Sequence, residues 1–249
     1  MDSGESQQEE QAVLDFTRYR FLTFDCYGTL IDWESGIFSA LRPVLARHGK
    51  SIDDQQLLEL YGDLELEAES GEYRSYRDVL RMVVRGFGER LRFTPSQQEQ
   101  DSLPNSISSW NPWPDTVAAL QSLGRNYQLV ILSNIDDDLF AGSRPKLQVT
   151  FRDVITAQQA ACYKPCRRMF ELALERIGAS PTDVLHVGQS VYHDVIPAKS
   201  IGMSTVWVNR PSARPGVGAV KAASATPDLE APDLATLAKL AQEKAAKAG

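Results

Sequence analysis

Phe21-Leu22-Thr23-Phe24-Asp25-Cys26-Tyr27-Gly28-Thr29-Leu30 sets an apolar tetrad directly before an aspartate and a glycine-containing turn. An apolar run without polar alternation suits a parallel strand covered on both faces. Similar short runs follow at Leu129-Val130-Ile131-Leu132, Val154-Ile155, Val184-Leu185-His186-Val187 and Thr205-Val206-Trp207-Val208. Helical patterns separate them, notably Arg167 to Ile177, closed by Gly178 as a left-handed cap would close it. Ser180-Pro181-Thr182-Asp183 reads as the start of another helix, with a cap residue, a proline and an acid in sequence. Alternating strands and helices predict an α/β protein with a doubly wound, Rossmann-like parallel sheet.

The stretch from 37 to 109 breaks that rhythm. Tyr76, Val79, Leu80, Val83 and Val84 recur at helical spacing, and no convincing strand interrupts them. It is expected to be an inserted α-helical cap domain, with residues 16–36 and 110–249 forming the core. Asn111-Pro112-Trp113-Pro114 marks the return to the sheet, because the residue before each proline is pushed out of the helical region. The acidic, polar residues 1–15 read as a disordered leader. Pro211 to Gly216 reads as a loop, and the Ala/Lys-rich end as a weak helix or frayed tail.

Composition narrows the function classes. The 249 residues carry 26 basic and 33 acidic side chains, a net charge of −7. With no basic stripe, nucleic acid is excluded as a partner, since phosphate binding is mostly cation-driven. No apolar run reaches the roughly 18 residues of a membrane helix. Cys26, Cys162 and Cys166 form an odd set without metal-like spacing, so they read as small hydrophobes in a reducing cytoplasm.

In open parallel sheets ligands bind beyond the carboxyl ends of the strands. Those positions hold Asp25, Tyr27 and Thr29, then Ser133 and Asn134, then Lys164, then Gln189, Ser190 and Asp194. A strand-end aspartate can be a nucleophile. A nearby ammonium would lower its pKa, and hydroxyls, an amide and backbone N–H groups could hold an anion.

The motifs Phe24 to Leu30, Leu132-Ser133-Asn134, Tyr163-Lys164-Pro165, His186 through Asp194 and Trp207 to Arg210 together resemble the haloacid dehalogenase superfamily, specifically its L-2-haloacid dehalogenase (type II) branch. The resemblance implies a hydrolase in which Asp25 displaces halide from a small 2-haloalkanoic acid. Water then hydrolyses the aspartyl ester to a 2-hydroxy acid. Lys164 and Asp194 would orient that water and balance charge. Cys26, Tyr27, Thr29, Ser133, Asn134 and Gln189 would bind the substrate carboxylate and its surroundings. No metal or cofactor is implied, and the partner is a small carboxylic acid; a homodimer is left open.

Two positions separate this chemistry from the family's phosphatases. Those members usually carry a second acid where Tyr27 stands, to protonate an alkoxide, whereas halide leaves without a proton. Magnesium-dependent members usually place an acid where Gln189 stands, and Mg²⁺ prefers anionic oxygen. A Mg²⁺-dependent small-molecule phosphatase is the rival enzyme, and a non-catalytic binding member the rival of another class. The branch's halide-binding arginine has no counterpart near Leu58 to Gly62, and Arg74 or Arg77 is the expected substitute. Trp33, Trp110 and Trp113 read as packing or pocket aromatics, His48 and His186 as structural, His193 as a loop or pocket residue, and Asp136-Asp137-Asp138 as an acidic first helical turn.

Overall fold

The computed structural model describes residues 14–210, 219 and 221–245. Most of the expected leader, the expected loop at 211–216 and residues 246–249 lie outside the described residues. Six parallel strands form one sheet: β1 (Phe21–Phe24), β2 (Gln128–Ser133), β3 (Asp153–Thr156), β4 (Val184–Gly188), β5 (Ser204–Val208) and β6 (Leu229–Ala231). Their order is β3-β2-β1-β4-β5-β6, so the chain winds outward from β1 in one direction and then in the other. Phe24 lies opposite both Ile131 and Val187, which brings the carboxyl ends of β1, β2 and β4 level at the point where the winding reverses.

The apolar runs are strands because both faces are covered. β1 and β4 are buried throughout, and Phe24, Val130, Ile131, Leu132, Val184, Leu185 and Val187 are fully enclosed. Each such side chain stabilises the fold by about 1.5–3 kcal/mol relative to exposure, so Ile131→Ala would open a cavity at the sheet's centre.

Between β1 and β2 the described chain is helical: α1 (Trp33–Arg47), α2 (Asp54–Glu69), α3 (Tyr76–Leu91), α4 (Gln97–Gln100) and α5 (Ser102–Ser106). These helices occupy the stretch expected to be the cap, with α1 starting slightly before it, at Trp33. Asp32, Asp53 and Ser75 start α1, α2 and α3 by accepting from Ser35 N, Gln56 N and Asp78 N. The helical spacing of Tyr76, Val79, Leu80, Val83 and Val84 is the buried face of α3.

The remaining helices cover the sheet: α6 (Thr116–Leu123), α7 (Asp137–Ser143), α8 (Ala157–Ala160), α9 (Arg167–Ile177), α10 (Ile196–Ser200) and α11 (Leu234–Ala245). In α9, Met169, Phe170, Ala173 and Ile177 form the buried stripe, and Gly178 ends it at φ 64°. The Ala/Lys-rich end is thus a helix as far as Ala245. Among the described residues no helix is long and apolar enough to cross a membrane.

One expectation needs correcting, and one strand had no counterpart in the sequence reading. Ser180 and Asp183 do form a capping box, but it closes only one 3₁₀ turn before β4 begins at Val184. The buried demand for an apolar central strand outweighs the local start signal. β6 went unread because Leu229-Glu230-Ala231 is a three-residue edge strand without a β-branched residue.

Candidate active site

A cavity partly open to solvent lies between the sheet's carboxyl rim and the cap. Lys164 is at its floor, 2% exposed, in the loop between α8 and α9. Its Nζ donates to Asp25 Oδ1 at 2.8 Å, Asp194 Oδ1 at 2.7 Å and the Leu132 carbonyl at 3.1 Å. Asn134 fixes the backbone beneath it, its Oδ1 accepting from Lys164 N at 2.7 Å and its Nδ2 donating to Lys164 O at 3.3 Å.

Asp25, 9% exposed, directly follows β1 and accepts from the Thr29 hydroxyl at 2.7 Å on Oδ2. Asp194 sits in a single π-helical turn, Val191–Val195, after β4. Its Oδ2 accepts from Ser190 N at 3.1 Å, and His186 Nε2 lies 3.3 Å from its Oδ1. Gly188 permits this approach, because a Cβ there would come within 2.4 Å of the Asp194 carboxyl. Gly28 is required twice over: φ is +98°, and a Cβ would fall 2.0 Å from Gln189 Oε1.

Electrostatically the three central groups share one ammonium. Burial works against the Lys164 ammonium, but Asp194 and Asp25 hold its pKa above that of ordinary lysine. Burial raises Asp194, and Lys164 with His186 more than reverses it, leaving the carboxyl below its ordinary range. For Asp25, burial is the larger influence: Lys164 lowers its pKa, Asp194 raises it again, and the result is above the ordinary value. Lys164 was expected to lower the nucleophile's pKa outright. It does lower it, but burial outweighs that pull and Asp194 adds to the rise, so the net direction is upward.

The cavity wall brings together Asp25, Tyr27, Ser133, Asn134, Lys164, Gln189 and Asp194 of the residues singled out in the sequence. The Ser133 hydroxyl makes no hydrogen bond among the described residues, nor do the backbone N–H groups of Cys26 and Tyr27. Cys26 and Thr29 themselves do not line the wall. The Cys26 side chain is fully buried, and the Thr29 hydroxyl is engaged by Asp25 and by Gln189 N at 2.9 Å. Burial raises the Tyr27 phenol well above its ordinary pKa, and its oxygen is 2.9 Å from Ser143 Oγ.

Arg74 and Arg77 do not reach the cavity. The Arg77 guanidinium pairs with Asp138 at 2.6 Å, and that of Arg74 lies against Met82 Sδ at 2.9 Å. In the region where an arginine was sought, α2 instead contributes Glu65 and Glu69. Trp33 also lines the wall, whereas Trp113 donates to Gly28 O and Trp110 to Ser106 Oγ. His186, read as structural only, touches Asp194 and hydrogen-bonds Thr23 at 2.8 Å. A histidine inside a wholly apolar strand was the available signal for it.

The acidic run divides its work. Asp136, N-cap of α7 and 4% exposed, accepts from Tyr76 N and Arg77 N, each at 2.9 Å. A core carboxylate thus satisfies the open N-terminus of cap helix α3. Asp137 accepts from Thr156 and Gln159.

A family model for haloacid dehalogenase-like hydrolases matches residues 19–202. The chain belongs to the haloacid dehalogenase-like hydrolases. It is 26% identical over 197 residues to (S)-2-haloacid dehalogenase 4A of Burkholderia cepacia, covering 77% of this chain and 83% of that protein. It is also 29% identical over 195 residues to a probable phosphatase, IndB, of Dickeya dadantii, covering 74% and 79%. In fold it is similar to the L-2-haloacid dehalogenase of Xanthobacter autotrophicus with chloropropionic acid covalently bound, with TM-score 0.76, 23% identity, 90% of this chain and 98% of that one. Dehalogenase-like hydrolases therefore surround this chain in sequence, and the relatives include both carbon–halogen and phosphate chemistry.

Proposed function

We propose that this hydrolase is a 2-haloacid dehalogenase. The observation that carries the reading is the residue two places after Asp25: Asp25 faces the cavity, and position 27 holds not a carboxylic acid but a tyrosine whose proton burial makes harder to release. A halide leaves without protonation and an alkoxide does not. Asp25 would attack the α-carbon with inversion, the C–X electron pair leaving as halide, to form an aspartyl ester. Water then attacks the ester carbonyl and releases the 2-hydroxy acid. Asp194 and Lys164 hold that water and keep the buried charge balanced; Ser133 and the open N–H groups of Cys26 and Tyr27 receive the substrate carboxylate. Fixed orientation of this kind is worth up to about 7–11 kcal/mol of barrier.

Magnesium does not suit these donors. Every oxygen of Asp25 and Asp194 already accepts a hydrogen bond, and the neighbour at 189 is a neutral amide. The test is halide release from each enantiomer of 2-chloropropionate, with and without EDTA. Chloride release from one enantiomer, unaffected by EDTA and abolished in Asp25→Ala, is expected. Phosphate release that EDTA abolishes and Mg²⁺ restores would instead establish the phosphatase.

A further inference from the structure

The cap wall of the cavity carries two acids that form no ion pair among the described residues. Glu65 and Glu69 lie one turn apart on the same face of α2, and both line the cavity that holds Asp25. The Tyr61 and Tyr76 hydroxyls both donate to Glu65 Oε1, at 2.9 and 2.5 Å, which fixes that carboxyl and leaves Oε2 without a partner among the described residues. Glu69 takes no hydrogen bond or ion pair among the described residues.

The obvious counter-ion is spent. An ammonium has three donors, and those of Lys164 go to Asp25, Asp194 and the Leu132 carbonyl. Among the described residues no arginine lines the cavity, and His193, which does, is kept neutral by burial, its pKa lowered to about 4. Carboxyls four residues apart on a helix repel each other when ionised, and a cation between them relieves that repulsion. Burial accordingly raises both.

A second, independent group on the same wall also lacks a partner. Trp33 is 8% exposed and lines the cavity, packing edge-on against Tyr61, yet its Nε1–H has no hydrogen-bond acceptor among the described residues. Buried donors are nearly always satisfied, and an orphan beside a nucleophile signals a group supplied by a ligand. The wall thus offers one donor near the reacting end, since a Cβ on Gly28 would lie 3.1 Å from Nε1, and two acceptors on α2.

We propose that Glu65 and Glu69 are specificity-determining residues that select a substrate bearing an alkylammonium group at the end away from the carbon attacked by Asp25. With the dehalogenase reading, on which this substrate class rests, the substrate is a short 2-halo acid whose carboxylate meets Ser133 and whose ammonium meets the cap. Binding such a cation replaces carboxyl–carboxyl repulsion with charge-assisted hydrogen bonds.

Calorimetry on the intact protein tests it without turnover. 4-Amino-2-hydroxybutanoate is expected to bind about tenfold or more tighter than its uncharged isostere 2-hydroxypentanoate, the scale of one charge-assisted hydrogen bond. In Glu65→Gln and in Glu69→Gln that ratio is expected to fall toward one. n-Butylammonium, which has no carboxylate, keeps the result independent of the reaction: it should bind the wild type and weaken in Glu69→Gln. Equal binding of the two acids, or a ratio unmoved by both variants, overturns the subsite. Chloride release from 2-chlorobutanoate is followed in parallel; its absence would count against the dehalogenase reading alone, with the butylammonium comparison still deciding the cation subsite.

Discussion

The two walls of the cavity are built on opposite principles. On the core wall every charge has a partner: Lys164 joins Asp25 and Asp194, Thr29 holds Asp25, and His186 with Ser190 holds Asp194. On the cap wall Glu69 and the Trp33 N–H have none among the described residues. Satisfied polar networks are rigid and hold one geometry, as a reaction centre requires. Unsatisfied groups await a ligand, so in the proposed reading the core wall performs the reaction and the cap wall reads the substrate.

The largest expected effect lies on the core wall. Asp25→Asn should lower turnover by roughly ten-thousandfold or more, as loss of a nucleophile does. Lys164→Met should cost folding stability as well, about 3–5 kcal/mol, because two carboxylates then face each other underground without a counter-charge. Denaturant unfolding measures this. A Lys164→Met protein as stable as wild type would mean that the buried triad is not the electrostatic unit described.

A middle-sized effect belongs to the join between the walls. Asp136→Ala removes the carboxylate that accepts from Tyr76 N and Arg77 N, orphaning two helix N–H groups. A loss of about 1–3 kcal/mol is expected, with KM rising more than kcat falls, since the cap loses its orientation while Asp25 keeps its own. Unchanged stability and KM would show that the cap is held elsewhere.

The smallest effect is a matter of protons. Unfolded, His193 takes a proton near 6.5, and folded only near about 4. Between those values the unfolded state binds more protons, so stability falls as pH drops from 6.5 towards 4 and this loss is complete below that. His193→Gln should flatten that part of a stability–pH profile; an identical slope would place the titration elsewhere.

How much of this was legible in the sequence follows the same division. Asp25, Ser133 and Asn134 stand at the ends of apolar runs, and Lys164 and Asp194 in the segments that follow later ones, and a parallel sheet converts those positions into proximity, so they were readable one strand at a time. The cap residues had no such rule. Glu65 and Glu69 sit in an acidic helix whose outer face holds acids too, and only tertiary packing decides which point inward. Arg74 and Arg77 were sought for their charge alone, and local partners claim both. Asp136 looked like an ordinary first-turn acid because its acceptors' partners are some 60 positions earlier in the chain. In the core, the direction of the Asp25 shift was missed because the sequence does not show how deeply the carboxyl is buried or that Asp194 shares Lys164, and Cys26 and Thr29 were expected on a wall they do not line.

Isotope transfer in a single turnover probes the nucleophile most directly. With enzyme in excess over 2-chloropropionate in H₂¹⁸O, attack by Asp25 requires the new hydroxyl of the product to carry ordinary oxygen and the heavy atom to appear in the Asp25 carboxyl. Heavy oxygen in the first product molecule, with Asp25 unlabelled, would show that water attacks the carbon itself and that this carboxylate forms no ester.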